Sequence, residues 1–149
     1  MTDIVLCTLN ARYTHTSLGL RSLLANLGAL RARARLLEFT LSTPVPTMVS
    51  EITALAPRVL GLGVYIWNAQ PTLALVRALR EQMPDLKIVL GGPEISHETE
   101  DQALTTLAYH VITGAGERSF ARLAAQLLDG PRPLMKIIVG EDTDPAELS

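Results

Sequence analysis

The sequence predicts a doubly wound α/β fold, in which a parallel sheet carries helices on both of its faces. Two observations predict it. Short apolar segments alternate with amphipathic segments five times along the chain. The connections between them are short, and no internal repeat or low-complexity tract interrupts the alternation. This is the pattern of consecutive strand–helix units.

The first unit shows how the elements are recognised. Residues 3–9 form an apolar run bounded by polar residues, as expected of a strand that is buried on both faces. Residues 14–28 follow as a helix, because Thr and Ser residues suitable for capping begin it and Gly28 ends it. The leucines that repeat at helical spacing are Leu20, Leu23, Leu24 and Leu27.

The remaining units repeat this scheme. Further strands are predicted at 34–41, 59–67, 86–94 and 110–117. Further helices are predicted at 46–57, beginning with Pro46; at 71–83, before Pro84; at 98–107, with weaker periodicity; and at 120–129, before Gly130. The elements together predict a Rossmann-like (flavodoxin-like) five-stranded parallel sheet of order 2-1-3-4-5.

Length and composition indicate a soluble globular domain. The chain has 149 residues, 48% of them hydrophobic and 19% charged, and a net charge of -2. This balance argues against disorder and against a strongly basic nucleic-acid-binding protein. The single cysteine, Cys7, excludes an internal disulfide and is expected to be inert core, which fits a reducing cytoplasm. No apolar run approaches the roughly 20 residues of a membrane-spanning helix.

Four loops at the predicted carboxyl edge of the sheet form the candidate binding region, because ligands of such folds bind outside the carboxyl ends of the strands. They read NARYTHTS (10–17), YIWNAQP (65–71), GGPEISHE (91–98) and GAGERS (114–119). Gly or Pro at a strand end lets a ligand approach the backbone without a Cβ in the way. Each glycine alone is equally explained by a tight turn, and each lone histidine by a surface or capping role.

Two nucleotide-related alternatives lack their defining residues. A dinucleotide-binding fingerprint needs GxGxxG after the first strand, but no glycine precedes Gly19. No Walker-type lysine follows any glycine loop either. A receiver domain of a response regulator needs a pair of acids after the first strand and an acceptor Asp after the third, and those places hold Asn10 and Trp67.

Taken together and in order, four segments resemble the N-terminal cobalamin-binding domain of cobalamin-dependent radical SAM proteins. They are NARYTHTSLGLRSLLANL, LGLGVYIWN, LGGPEISHE and VITGAGERSFARLAAQLL, and they extend from about Val5 to Leu128. In that family the third strand typically ends in an aromatic–Trp–Asn sequence, the fourth in Gly–Gly–Pro–Glu and the fifth in Gly–Glu–Gly–Glu. The chain departs at Ala115, where Glu is usual, and at Gly63, where Ser is common.

The resemblance implies a cobalamin lying across the carboxyl edge of the sheet. The strand ends are then small or flat because the corrin ring lies against them, and the glycines of the fourth strand admit the cofactor's nucleotide tail. The residues that the resemblance assigns to the cofactor are Asn10, Arg12, Tyr13, Thr14, Gly63, Val64, Tyr65, Trp67, Asn68, Gly91, Gly92, Pro93, Glu94, Gly114, Gly116 and Glu117.

No protein ligand to cobalt is expected. Cobalamin domains of the methionine-synthase and mutase type carry DxHxxG after the first strand, and its His ligates the metal. This sequence has NARYTHTS there, and His15 lacks an Asp at the required spacing.

The chain also lacks the CxxxCxxC loop and the catalytic barrel of a radical SAM enzyme. We therefore expect residues 1–130 to be the cofactor module and residues 131–149 to be a linker or an extra edge strand. These residues would lead to a C-terminal radical SAM domain of the same polypeptide, which would hold S-adenosylmethionine and a 4Fe-4S cluster.

Alone, the chain is expected to be non-catalytic, cytoplasmic, free of membrane and nucleic acid, and capable of forming a homodimer. The alternative is a cofactor-free docking domain of the same fold. A third hypothesis, an independent small enzyme that uses a mononucleotide, is disfavoured by the missing phosphate fingerprint.

Overall fold

The computed structural model describes residues 2–10, 23–64, 69–91, 103–104, 106–113, 117–130 and 137–139. The strands in these ranges are β1 (Ile4–Asn10), β2 (Ala34–Thr40), β3 (Val59–Gly63), β4 (Lys87–Gly91), β5 (His110–Thr113) and β6 (Ile137–Val139). The helices are α1 (Val45–Leu55), α2 (Ala69–Gln82) and α3 (Glu117–Asp129), with a 3-10 helix at Gly28–Arg33. Residues 23–25, 103–104 and 106–107 are also helical.

All strand pairs of the sheet are parallel, and the strand order is β2-β1-β3-β4-β5-β6. The predicted order 2-1-3-4-5 is confirmed, and β6 is added beside β5. The order reverses between β1 and β3, so the switch point at which folds of this type bind ligands lies at the carboxyl ends of these two strands.

The two faces of the sheet bury separate halves of the core, because successive residues of a strand point to opposite faces. Val5, Cys7 and Leu9 of β1 pack on the side of α1 and α2, whereas Ile4 and Leu6 pack on the side of α3. The helical residues that complete the first half are Met48, Val49, Ile52, Leu73, Leu75, Val76 and Leu79. The second half is completed by Leu27, in the turn before the 3-10 helix, and by the α3 residues Phe120, Leu123, Ala124, Leu127 and Leu128.

Several predicted boundaries differ from the structure. The chain turns at Gly28, where φ is +61°, but then continues as the 3-10 helix. Helix α2 begins at Ala69, two residues before Pro71, because a proline is tolerated in the first turn of a helix, where its missing N–H has no partner to lose. Strand β5 ends at Thr113, and Glu117, which the sequence pattern placed in the strand, is the first residue of α3.

At the amino edge of the sheet, basic side chains donate hydrogen bonds to the last carbonyl groups of α3. Arg58 donates from Nη2 to the carbonyl of Leu128 at 2.9 Å, and Lys87 donates to the carbonyl of Leu127 at 3.4 Å. These bonds supply cations and donors where the last carbonyls of a helix lack partners. None of the helices in the described ranges is long and apolar enough to cross a membrane.

Arg33 is part of the same edge. Its Nε lies 2.6 Å from Oδ2 of Asp3, whose side chain is only 9% exposed, and its Nη1 lies 3.6 Å from Oδ2 of Asp129. The arginines at 31, 33 and 35 look like a solvated edge in the sequence. Arg33 keeps part of its side chain exposed, at 36%, and in addition pairs with two acids that are distant in the chain.

Helix α3 crosses the sheet directly over Gly61 of β3. A β-carbon added at Gly61 would lie 2.9 Å from Cε2 of Phe120 and 3.0 Å from Cδ2 of Leu6. Both neighbours are buried. Gly61 is therefore a packing glycine, which lets the aromatic ring of α3 rest on the backbone of the sheet.

We expect the substitution Gly61→Val to lower the free energy of unfolding by about 1–3 kcal/mol, because the added carbons overpack a filled core. The midpoint of urea denaturation measures the change. Adding Phe120→Leu should offset part of the loss. Gly91→Ala, whose added carbon would meet the carbonyl oxygen of Ile112 at an ordinary contact distance of 3.9 Å, should change stability by no more than about 0.5 kcal/mol. An unchanged midpoint in the Gly61→Val variant would contradict the close contact.

Cys7 is buried in the core, and burial raises the pKa of its thiol far above the ordinary value, with a smaller contribution from the charges of Glu38 and Glu51. The thiolate is the reactive form. Alkylation of the native chain by iodoacetamide should therefore be at least about 100-fold slower than alkylation of the denatured chain, because it requires opening of the fold. Equal rates, followed by mass spectrometry, would show that Cys7 is accessible.

Candidate functional site

The carboxyl edge of the sheet brings two glycines side by side. Gly63, the last residue of β3, pairs with Gly91, the last residue of β4, and Gly91 pairs with Ile112 of β5. Just beyond Gly63, the amide of Val64 donates to the carbonyl of Gly91 at 2.7 Å. The strand ends that the sequence analysis assigned to the cofactor are thus direct neighbours.

The space next to Gly91 is not filled by the chain's own described residues. Among the described residues, a β-carbon added there would have only the carbonyl oxygen of Ile112 within 4 Å, at 3.9 Å. Gly61, two residues before Gly63 on the same strand, instead has Phe120 against it. Internal packing therefore explains Gly61 but does not explain Gly91.

Thr8 of β1 lies in the same row of the sheet. Its neighbours on the strand, Cys7 and Leu9, face α1 and α2, so Thr8 faces α3, as Leu6 does. The pairing of β1 with β3 runs to Cys7 and Leu62, and one step further along the same register brings Thr8 level with Gly63. We call Thr8, Gly63 and Gly91, on the α3-facing side, the carboxyl-edge strip.

Thr8 is 1% exposed, and its hydroxyl oxygen has no hydrogen-bond partner. The sequence analysis missed this residue. The available signal was a polar residue inside an otherwise apolar strand, but such a threonine is more simply explained by a hydrogen bond within the core. Only the absence of that bond marks Thr8 as unusual.

The structure describes part of the predicted site. Gly63 and Gly91 end their strands, Asn10 ends β1, and Glu117 begins α3. Val64 is fully buried, with its side chain in the α1–α2 half of the core. Only its backbone is therefore available for contacts at the carboxyl edge. The predicted residues that lie outside the described ranges are Arg12, Tyr13, Thr14, Tyr65, Trp67, Asn68, Gly92, Pro93, Glu94, Gly114 and Gly116.

Within the described residues, no group of three His, Cys, Asp or Glu side chains could hold a metal ion. His110 is fully buried in β5, with its ring edge-on to that of Tyr109 at a centroid distance of 5.2 Å. The expectation of a surface or capping role is wrong for this histidine, because its pairing with Val89 sets it inside the sheet. His15 and His97 lie outside the described ranges.

Comparison with solved structures shows that the fold occurs in cobalamin-binding proteins. A cobalamin-binding protein from Desulfitobacterium hafniense DCB-2 superimposes with a TM-score of 0.61 at 15% identity, over 85% of this chain and 58% of that one. The cobalamin-dependent S-adenosylmethionine radical enzyme OxsB superimposes with a TM-score of 0.63 at 13% identity, over 89% of this chain and 19% of the enzyme. The chain thus spans little more than half of the first protein and about a fifth of the second.

The same fold occurs outside cobalamin proteins. A CheY-like protein, TadZ, from Pseudomonas aeruginosa PAO1 superimposes with a TM-score of 0.62 at 20% identity, over 91% of this chain and 98% of that one. At these identities the likenesses show the fold alone. A search of curated proteins finds no match to the sequence.

The family is decided by the sequence itself. The family model of the B12 binding domain matches residues 4–124, which is most of the chain and includes β1 to β5 and the carboxyl-edge strip. The resemblance to cobalamin-binding domains stated from the sequence motifs is thereby confirmed. The chain belongs to the B12-binding domain family.

Proposed function

We propose that this chain binds cobalamin at the carboxyl edge of its sheet and serves as the cofactor-holding domain of a radical SAM enzyme. The observation that supports the binding site most directly is that, among the described residues, only the carbonyl oxygen of Ile112 approaches the β-carbon position of Gly91, which lies beside Gly63 near the point where the strand order reverses. A glycine that internal packing does not require is explained if a ligand approaches the backbone there.

The described residues fit such a cofactor. The carboxyl-edge strip offers a side of the sheet without β-carbons at two adjacent strands, so a bulky ligand can lie close to the main chain. The three residues of the strip carry no charge, and the charged neighbour in their row is Glu38 of β2, which pairs with Thr8 and is exposed. The single described hydroxyl of the strip, Thr8, is available as a partner.

Cobalamin supplies a cobalt centre that carries a methyl group or tunes radical chemistry. The part of this chain is to bind and orient the cofactor, not to catalyse. The motif resemblance and the structural likeness to OxsB support a radical SAM parent. S-adenosylmethionine, a 4Fe-4S cluster and the catalytic barrel would then belong to a C-terminal domain, which would also be the partner of this chain.

The second candidate function is a cofactor-free docking domain. The likeness to CheY-like proteins favours it, since that likeness shows that the fold alone does not require a corrinoid. Gly63 and Ala115, at which the chain departs from the usual motifs, also favour it. Binding of the cofactor separates the two functions.

A visible absorption titration with hydroxocobalamin, followed by desalting, is expected to leave one equivalent of pink cofactor on the chain. The substitution Gly91→Leu should weaken binding by about tenfold or more, because the side chain fills the open space of the strip. Ala125→Leu places a leucine at an exposed position of α3 and should bind as the wild type does.

A wild-type chain that loses the colour on desalting would contradict cofactor binding by this chain alone. Repeating the titration with the complete parent protein would then distinguish a site that the second domain completes from a docking domain, which would stay colourless in both forms. Equal binding by the Gly91→Leu variant would contradict the placement of the site.

A further inference from the structure

Thr8 presents a hydroxyl that the folded chain does not use. The side chain is 1% exposed, so bulk water does not solvate it, and the oxygen has no hydrogen-bond partner. A buried polar group without a partner destabilises the fold relative to an apolar group of the same shape. Valine has that shape and also favours strands, so folding alone does not explain a threonine here.

The described residues contain a second buried hydroxyl without a hydrogen-bond partner, that of Thr72, and it lies elsewhere in the fold. Thr72 is also fully buried and lacks a hydrogen bond, but it lies in α2, on the opposite side of the sheet. By extension of the β1–β3 register, Thr8 lies level with Gly63 and faces α3, in the row where Gly91 has only the carbonyl oxygen of Ile112 near its β-carbon position among the described residues. Of the two hydroxyls, only that of Thr8 belongs to the carboxyl-edge strip.

We infer that the Thr8 hydroxyl hydrogen-bonds a polar atom of the nucleotide loop of the bound corrinoid, an inference that rests on the proposed function. Thr8 is two residues before the end of β1 at Asn10, about 7 Å inside the edge of the sheet. A flat macrocycle lying across the edge does not reach that depth. The nucleotide loop, with its ribose and phosphate oxygens, is the long polar extension of the cofactor.

The hydroxyl can act as donor to a phosphate oxygen or as acceptor from a ribose hydroxyl. Because Thr8 is covered in the structure described here, the ligand reaches it by displacing the groups that cover it. The bond then satisfies an atom that is unsatisfied without the ligand. Thr8 thus lowers the stability of the free domain and raises its affinity for a complete corrinoid.

The test is the substitution Thr8→Val, measured in two ways on the same chain. The melting temperature without ligand should rise by about 3 °C, because the unsatisfied hydroxyl is removed. The affinity for cobalamin should fall by about fivefold to tenfold, because one hydrogen bond is lost. The affinity for cobinamide, which lacks the nucleotide loop, should not change.

Two further variants serve as controls. Thr8→Ser keeps the hydroxyl and should bind cobalamin within about threefold of the wild type, although the lost methyl group lowers its stability. Thr72→Val removes the matched hydroxyl on the other face and should raise the melting temperature without weakening cobalamin binding.

The outcomes separate this inference from the proposed function. A wild type that binds no cobalamin, either as this chain alone or within the complete parent protein, overturns both. A wild type that binds, together with a Thr8→Val variant that binds equally well or melts at a lower temperature, overturns only the role of Thr8. Equal losses for cobalamin and cobinamide would exclude the nucleotide loop as the partner, and an equal loss in Thr72→Val would exclude a role specific to the α3 side.

Discussion

The contact between Phe120 and Gly61 is the constraint on which the rest of the α3 side depends. The aromatic ring rests where a β-carbon would lie 2.9 Å away, so the helix is held close to the centre of the sheet. At its far end α3 is held by Arg58 and Lys87 through the carbonyls of Leu128 and Leu127. Two points of attachment fix a rigid helix. They therefore also fix that Phe120 covers the sheet at Gly61 and not at Gly91.

The two edges of the sheet are built for different purposes. At the amino edge polar groups find partners within the chain: Arg33 meets Asp3, and Arg80 donates to the carbonyls of Leu86 and Leu107. At the carboxyl edge the hydroxyl of Thr8 has none. Buried polar groups normally pair, so an exception points to function more than to stability. Of the two such hydroxyls in the described residues, that of Thr72 lies in α2 and that of Thr8 lies in the row of the glycine pair at the switch point of the strand order.

The fold is shared by proteins that do unrelated work. The structures that superimpose on this chain include a cobalamin-binding protein and CheY-like proteins, at similar TM-scores. What separates them is the chemistry of the strand ends. Receivers need acids after the first and third strands, where this chain has Asn10 and Trp67, and the corrinoid site that we propose instead uses small residues, of which Gly63 and Gly91 are described in the structure.

The amino-acid sequence by itself determined the strand order, the alternation of strands and helices, and the family. Apolar periodicity and helix-ending residues are local signals, and parallel connections leave few topologies, so these features can be read from the chain. Tertiary structure alone decided the pairing of Arg33 with Asp3, the burial of His110 and the different roles of three similar glycines. Each of these features depends on which residue from a distant part of the chain packs against the residue in question. A local sequence pattern does not contain that information. For the same reason the sequence pattern does not single out Thr8, because the missing hydrogen-bond partner of its hydroxyl is visible only in the folded chain.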